Sequence, residues 1–313
     1  MRRPGAPVPA ILACATLVGC GDPAAAGAVT EAIRALPGVE SALPRYESGW
    51  DGASRFGLTA VLDQTAVPEQ AGAVGRSFTE LVNQKGLADS DVSLDVEYLA
   101  TIEKSTATVS FDDHPDPLLI SGLLRDWLGV ARSAGVAGVD LVEPESGSAP
   151  SRLFRVTVGP AATDGDLRTL VQNHPDLQSA VWVLVGLVDP FDSSPGERDE
   201  TYEVTGMIPG ARLRERWNQI VGKLGAAGTV HASTDTAMSP PTNVTVNIPT
   251  SYGDRAVAQA QAWMMFPLLE GLPLPARVEY GGDIFTVGGC TPPDPRHARS
   301  ELEAELRRKF ERC

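Results

Sequence analysis

The sequence predicts an α+β protein made of tandem helix–strand–strand units, its sheet mostly antiparallel and wet on one face. Two observations predict it. Six times along the chain, a residue on an apolar helix face is followed by an apolar residue three places on and by Gly or Pro eight places on. Those Gly or Pro positions stand 48, 49, 40, 50 and 46 residues apart. Spacings of roughly 20–50 residues mark repeat architectures. After each stop the apolar residues change to period-two alternation, the pattern of a half-buried strand.

In chain order the helix signals are Thr30/Ile33/Gly38, Phe78/Leu81/Gly86, Trp127/Val130/Gly135, Leu167/Leu170/Pro175, Trp217/Ile220/Gly225 and Trp263/Phe266/Gly271. An i, i+3 pair lies on one helix face. Gly suits the left-handed position past a helix end, where a Cβ is strained. Pro175 acts instead as a stop. Pro68-Glu69 and Thr163-Asp164 supply helix starts. The strand signals are Leu94/Val96/Tyr98, Ala107/Val109/Phe111, Phe154/Val156/Val158, Val181/Val183/Val185 and Val244/Val246/Ile248, with polar Ser93, Asp95 and Glu97 between the first three. One wet face of that kind belongs to an antiparallel sheet with helices on the other side.

Two units joined make a βαββαβ, ferredoxin-like arrangement. It divides the chain into two-layer sandwiches at 28–112, 115–208 and 210–288, with joints at Asp112-Asp113-His114-Pro115 and Gly206-Met207-Ile208-Pro209-Gly210. One continuous shared sheet is the alternative. The common repeat position of Trp127, Trp217 and Trp263 makes them core aromatics. Trp50, in the loop Ser48-Gly49-Trp50-Asp51-Gly52, has the better claim of the tryptophans to a surface role, although a tucked loop anchor is the reading favoured for it.

The first nineteen residues read as a signal peptide. Arg2 and Arg3 precede a mostly apolar stretch from Ala6 to Gly19 that is too short to span a bilayer. It ends in Leu17-Val18-Gly19-Cys20, which resembles the lipobox of bacterial lipoproteins. That resemblance covers about twenty residues and implies cleavage before Cys20, a diacylglycerol on its sulfur and an extracytoplasmic, membrane-held chain. Cys14 lacks the pattern and leaves with the signal. Two or more acyl chains give stable attachment where one holds only marginally. Residues 20–27 would form a short tether, seven of them reaching about 24 Å when extended. The abundance of Arg, Ala, Gly, Pro and Val suits a high-GC genome, such as that of an actinobacterium.

The formal charge is −14, and removing 1–19 with Arg2 and Arg3 takes it to about −16. Such a chain repels phosphate backbones, so nucleic acid is not an expected partner. Cys290 and Cys313 are the remaining thiols, and an oxidising compartment favours their pairing. Residues 289–313 then form a C-terminal segment. Its helix, Ser300–Arg312, carries Leu302, Leu306 and Phe310 on one stripe and Glu303/Arg307 and Glu305/Lys309 as i, i+4 pairs. A bond would pin this helix beside the last strand and stabilise by roughly 3 kcal/mol. A free thiol pair is the alternative.

Candidate chemistry is sparse. Asp112-Asp113-His114-Pro115-Asp116 has ligands suited to a divalent cation, yet acids just before a helix also cap its N–H groups. Asp189 to Glu200 begins and ends in acids but lacks the EF-hand's ligands and Gly. His114, His174, His231 and His297 are scattered, without zincin spacing or a nucleophile elbow. Gly281-Gly282 and Gly288-Gly289 suit turns, and Asn243-Val244-Thr245 sits in a strand signal. No catalytic residue, cofactor or metal is assigned. The expectation is a membrane-held interaction or scaffold module for an envelope protein or polymer. A carrier or sensor of a small ligand or cation, and an envelope enzyme, are the alternatives.

Overall fold

Period-two burial alternates along six of the strands, and the inward rows are in register from one strand to the next. The structure is a computed structural model that describes residues 23–48, 54–87, 91–99, 103–111, 116–142, 153–185, 200–225, 228–235, 241–248, 252–292 and 300–313. Helix α1 (Pro23–Arg34) leads into strands β1 (Val39–Ser48) and β2 (Ser54–Leu62). Next come α2 (Pro68–Gln84), β3 (Asp91–Leu99) and β4 (Lys104–Ser110), then α3 (Pro117–Ala131), β5 (Val136–Val142) and β6 (Leu153–Val158). Helix α4 (Asp164–Asn173) precedes β7 (Val181–Val185) and β8 (Thr201–Thr205). It is followed by α5 (Ala211–Leu224), β9 (Thr229–Asp235) and β10 (Thr242–Asn247). The last unit is α6 (Tyr252–Met265), β11 (Ala276–Tyr280) and β12 (Asp283–Val287), closed by α7 (Glu301–Phe310).

The twelve strands form one sheet in sequence order, β1 to β12. Six adjacencies, each a unit's own strand pair, are antiparallel. Five, each spanned by a helix, are parallel. The fold is therefore α+β with a mixed, mostly antiparallel sheet. The expected ferredoxin-like interleaving is not what this order shows, because strands joined by a helix pair directly instead of enclosing a third. Of the two arrangements the repeat allowed, the shared sheet is present. Strands β4 and β5 pair through Thr106 and Asp140, and β8 pairs β9 from Thr201↔His231 to Thr205↔Asp235.

A geometric consequence follows for handedness. Helices α2 and α3 pack on each other, Gly75 closely facing Ile120 and Leu124, so both lie on one face. The strand pairs they connect run in opposite directions while advancing the same way across the sheet. One of those two crossovers must therefore have the left hand, the uncommon one.

The core is one apolar cluster between helices and sheet, from Val29 and Ile33 through Phe78, Trp127 and Trp217 to Phe266 and Phe310. Trp127 and Trp217 are fully buried and Trp263 packs on the cluster's edge. Strand β7 departs from expectation. Its core residues are Trp182 and Leu184, while Val181 and Val185 are half-buried on the other face. Five consecutive apolar residues leave period-two reasoning without a marker of which row points inward. Helix α1 also begins earlier than the expected tether allows, with Pro23 to Gly27 already helical and Ala25 and Ala26 buried.

Four of the predicted stops, Gly38, Gly86, Gly135 and Gly225, have positive φ. Gly135, at φ 83°, is also tightly enclosed, since a Cβ there would lie 3.1 Å from the Cβ atoms of Ala162 and Asp166. Gly135→Val is expected to cost about 2 kcal/mol, from backbone strain and overpacking together. A melting curve unchanged from the parent would refute this.

The sheet's last edge is sealed by side chains. Cys290 and Cys313 are disulfide-bonded, their Cα atoms 5.2 Å apart, within the range such bonds require. Helix α7 lies along β12, with Phe310 against Phe285 and Phe266. Ile284 N–H donates to Glu303 (3.4 Å) and Thr286 N–H to Glu311 (3.3 Å), while Arg307 Nε donates to the Ile284 carbonyl at 3.1 Å. An unpaired strand edge invites association, and these three residues occupy it. At the opposite edge, β1 carries Pro44, which removes one donor, and Arg34 bonds the Ala42 carbonyl.

Candidate functional site

The described helices lie on one face of the sheet; the other face, open along its first four strands and buried at Gly138, Thr157 and Val183, has rows that can be read from strand register. One row runs Arg45, Gly57, Ser93, Ser110 and the next Leu43, Thr59, Asp95, Thr108. Further along stand Asp140 and Arg155, then Glu203, Ser233, Asn243 and Arg277. No aromatic side chain stands on these outward rows among the described strand residues.

Its charges are largely paired in place. Thr108 donates to Asp95 at 2.8 Å, and Lys104 lies 2.7 Å from Glu97. Arg155 of β6 reaches across β7 to Glu203 of β8 at 2.6 Å, and Val183, on the strand between, is buried. Thr201 and the His231 ring are 3.2 Å apart. Exposed pairs of this kind add little stability, typically about 0–1 kcal/mol.

Asp140 is perturbed. Burial pushes its carboxyl above the ordinary value, with a smaller push from Glu103, against the opposing pull of Arg155, the Thr106 backbone and Lys104. A carboxyl raised in the folded state holds its proton better folded than unfolded. Its contribution to stability therefore falls as pH rises from the ordinary value, 3.8, through the raised one, and returns on acidification. Asp140→Asn is expected to raise the melting temperature at pH 7 and to narrow the gap between pH 7 and mildly acidic conditions. A lower melting temperature for the Asn variant at pH 7 would count against it.

The open face carries a concavity of about 260 Å³ lined by Arg45, Arg55, Phe56, Gly57, Asp91 and Ser93. Arg45 and Arg55 flank Gly57 from the facing strand and from two residues back along the same strand. A Cβ on Gly57 would lie 3.2 Å from Ser93 Oγ and 3.3 Å from Arg45 Nε. Arg55 Nε is 3.1 Å from Asp91, and Arg45 Nη2 is 3.9 Å from Asp95. Both arginine side chains remain more than 60% exposed, at 64% for Arg45 and 68% for Arg55.

The residues singled out by sequence are dispersed. Cys20, Trp50, Asp112, Asp113, His114, His297 and the run Asp189–Asp199 lie outside the described residues. Asp116 is the N-cap of α3, its carboxylate accepting from Leu118 N–H. Thr163 caps α4 in a capping box with Asp166. His174 ends α4 with its ring against Gly129, and His231 stands on the open face. Gly281 and Gly282, both at positive φ, form the two-residue turn between β11 and β12. Among the described residues no group of three or more His, Cys, Asp or Glu could hold a metal ion. None of their helices is long and apolar enough to cross a membrane.

Sequence reasoning missed the Arg45–Arg55–Gly57 concavity. The signal was Gly57 interrupting the alternation Phe56/Leu58/Ala60/Leu62, but its neighbours across the sheet become known only with register. No protein-family model matches the chain, and neither a curated protein nor a solved structure is significantly similar to it.

Proposed function

We propose that this chain is a membrane-anchored, extracytoplasmic interaction module that holds an envelope partner on the open face of its sheet. The observation that carries the reading is the single twelve-stranded sheet whose described helices all pack on one side. At about 4.8 Å per strand the sheet extends roughly 50 Å, and its face away from the described helices presents hydroxyls and mixed charge. That composition suits a protein or polar polymer, held through hydrogen bonds and local ion pairs. The anchor is Cys20, on the resemblance of Leu17-Val18-Gly19-Cys20 to a lipobox. Because α1 begins at Pro23, only two residues would separate the lipid from the fold, and the module would sit against the bilayer.

Two measurements in intact cells test this. Cys20→Ala should move the protein out of the membrane fraction; retention there would remove the anchor. A photo-crosslinking residue at Thr108 or Thr245, on the open face, should capture a partner. The same probe at Gln219, exposed on α5, should not. Equal capture from Gln219 would remove the open face from the proposal.

A further inference from the structure

Every second residue of a strand projects from the open face, so a glycine there leaves a gap the size of a side chain. Gly57 leaves such a gap, across which the Arg45 guanidinium lies, its Nε and Nη2 both 3.3 Å from where a Cβ would stand, and the surrounding wall carries donors beside the Asp91 carboxylate. Arg45 stands directly opposite, Ser93 directly beside, and Arg55 one pleat back on the same strand. Together with Phe56 and Asp91 they line the concavity of about 260 Å³. We propose that this concavity binds an oxyanion, a phosphate or carboxylate group borne by a ligand or partner.

The chemistry follows from the donors. Each guanidinium carries five N–H groups in a planar fork that matches two oxygens of an oxyanion. One carboxylate does not saturate it. Arg55 meets Asp91 through Nε, and Arg45 approaches Asp95 only to 3.9 Å, too long for a hydrogen bond. An incoming oxyanion can therefore take N–H groups that these aspartates leave over, with Ser93 Oγ as a further donor. Gly57 provides the floor. A side chain there would meet Ser93 and Arg45 within 3.3 Å and fill the space. The site is also discrete, since the chain as a whole carries −14 and offers anions little general attraction.

The site deepens the reading of the open face as the binding face, but its test is separate from the crosslinking. The mature protein is titrated with sodium phosphate and, in parallel, with sodium acetate at constant ionic strength, while amide NMR shifts are followed. Saturable shifts centred on Gly57 and Ser93 are expected, with phosphate, the more highly charged, binding more tightly than acetate. Arg45→Ala and Arg55→Ala should each weaken phosphate binding by roughly tenfold or more, about the loss of one charged donor. Gly57→Val should abolish it with both arginines in place. Arg277→Ala, far along the same face, should leave it unchanged. No saturable shift up to roughly 50 mM phosphate, a regime of very weak binding, would overturn the proposal. So would equal weakening by Arg277→Ala, or full binding by Gly57→Val. Failure here leaves the crosslinking result standing, because that result requires no anion.

Discussion

Glu303→Ala should destabilise the protein by about 3–5 kcal/mol, although the residue belongs to a charged, ten-residue terminal helix. Glu303 is fully buried, with Oε1 2.8 Å from Arg307 Nη2, and Arg307 itself is only 12% exposed. Truncation would leave that guanidinium short of its closest counter-charge and the Ile284 N–H of β12 without its acceptor. Both penalties fall on groups removed from water. The Cys290–Cys313 bond would keep α7 tethered, so its release should appear locally as faster hydrogen exchange at Ile284 and Thr286. Denaturant melts measure the total. Replacing Glu303 and Arg307 together by Met removes both charges and should recover much of the loss, as buried pairs exchanged for apolar residues often do. A loss below about 1 kcal/mol for Glu303→Ala would mean that the ion pair carries little of the edge's stability.

That pair also shows where sequence reading ends. Glu303 and Arg307 are legible as an i, i+4 pair, and the stripe Leu302/Leu306/Phe310 as the face that docks. Nothing in the chain says that the pair itself turns inward onto a strand edge. The same division runs through the molecule. Trp127/Val130/Gly135 and Trp217/Ile220/Gly225 announce helices, their buried faces and their ends, because those properties are local. The unit of one helix and two strands follows from such signals. Strand order does not, since hydrophobic alternation marks a face and not a neighbour. The interleaved arrangement follows from joining two units into a βαββαβ motif; it keeps every crossover right-handed with all helices on one face, and the sequential sheet gives that up. The outward rows are the least legible part. Arg45, Gly57 and Ser93 lie 12 and 36 residues apart in the chain and become one concavity only through pairing.

The seam between β4 and β5 supplies the second large effect. It falls at the joint expected near 112–115, and its ladder is the shortest in the sheet among the described residues, with two residue pairs. Side chains reinforce it. The Val139 N–H donates to Ser105 Oγ at 3.0 Å, and the Val139 carbonyl accepts from Trp127 Nε1 at 3.1 Å, all of them buried. Trp127 therefore fills the space under α3 and also satisfies a strand carbonyl. Trp127→Ala is expected to cost about 3–5 kcal/mol through cavity and lost contacts, with the bare carbonyl adding to it. Trp127→Phe separates the two contributions, since it keeps most of the volume and loses the bond, and should cost about 1–3 kcal/mol. Because the sheet is continuous through this seam, the loss should reach both sides. Amides in β3 and in β6 should lose hydrogen-exchange protection together. Loss confined to β5 and β6, with β3 unchanged, would mean that the seam divides the protein into independent folding units despite the shared sheet.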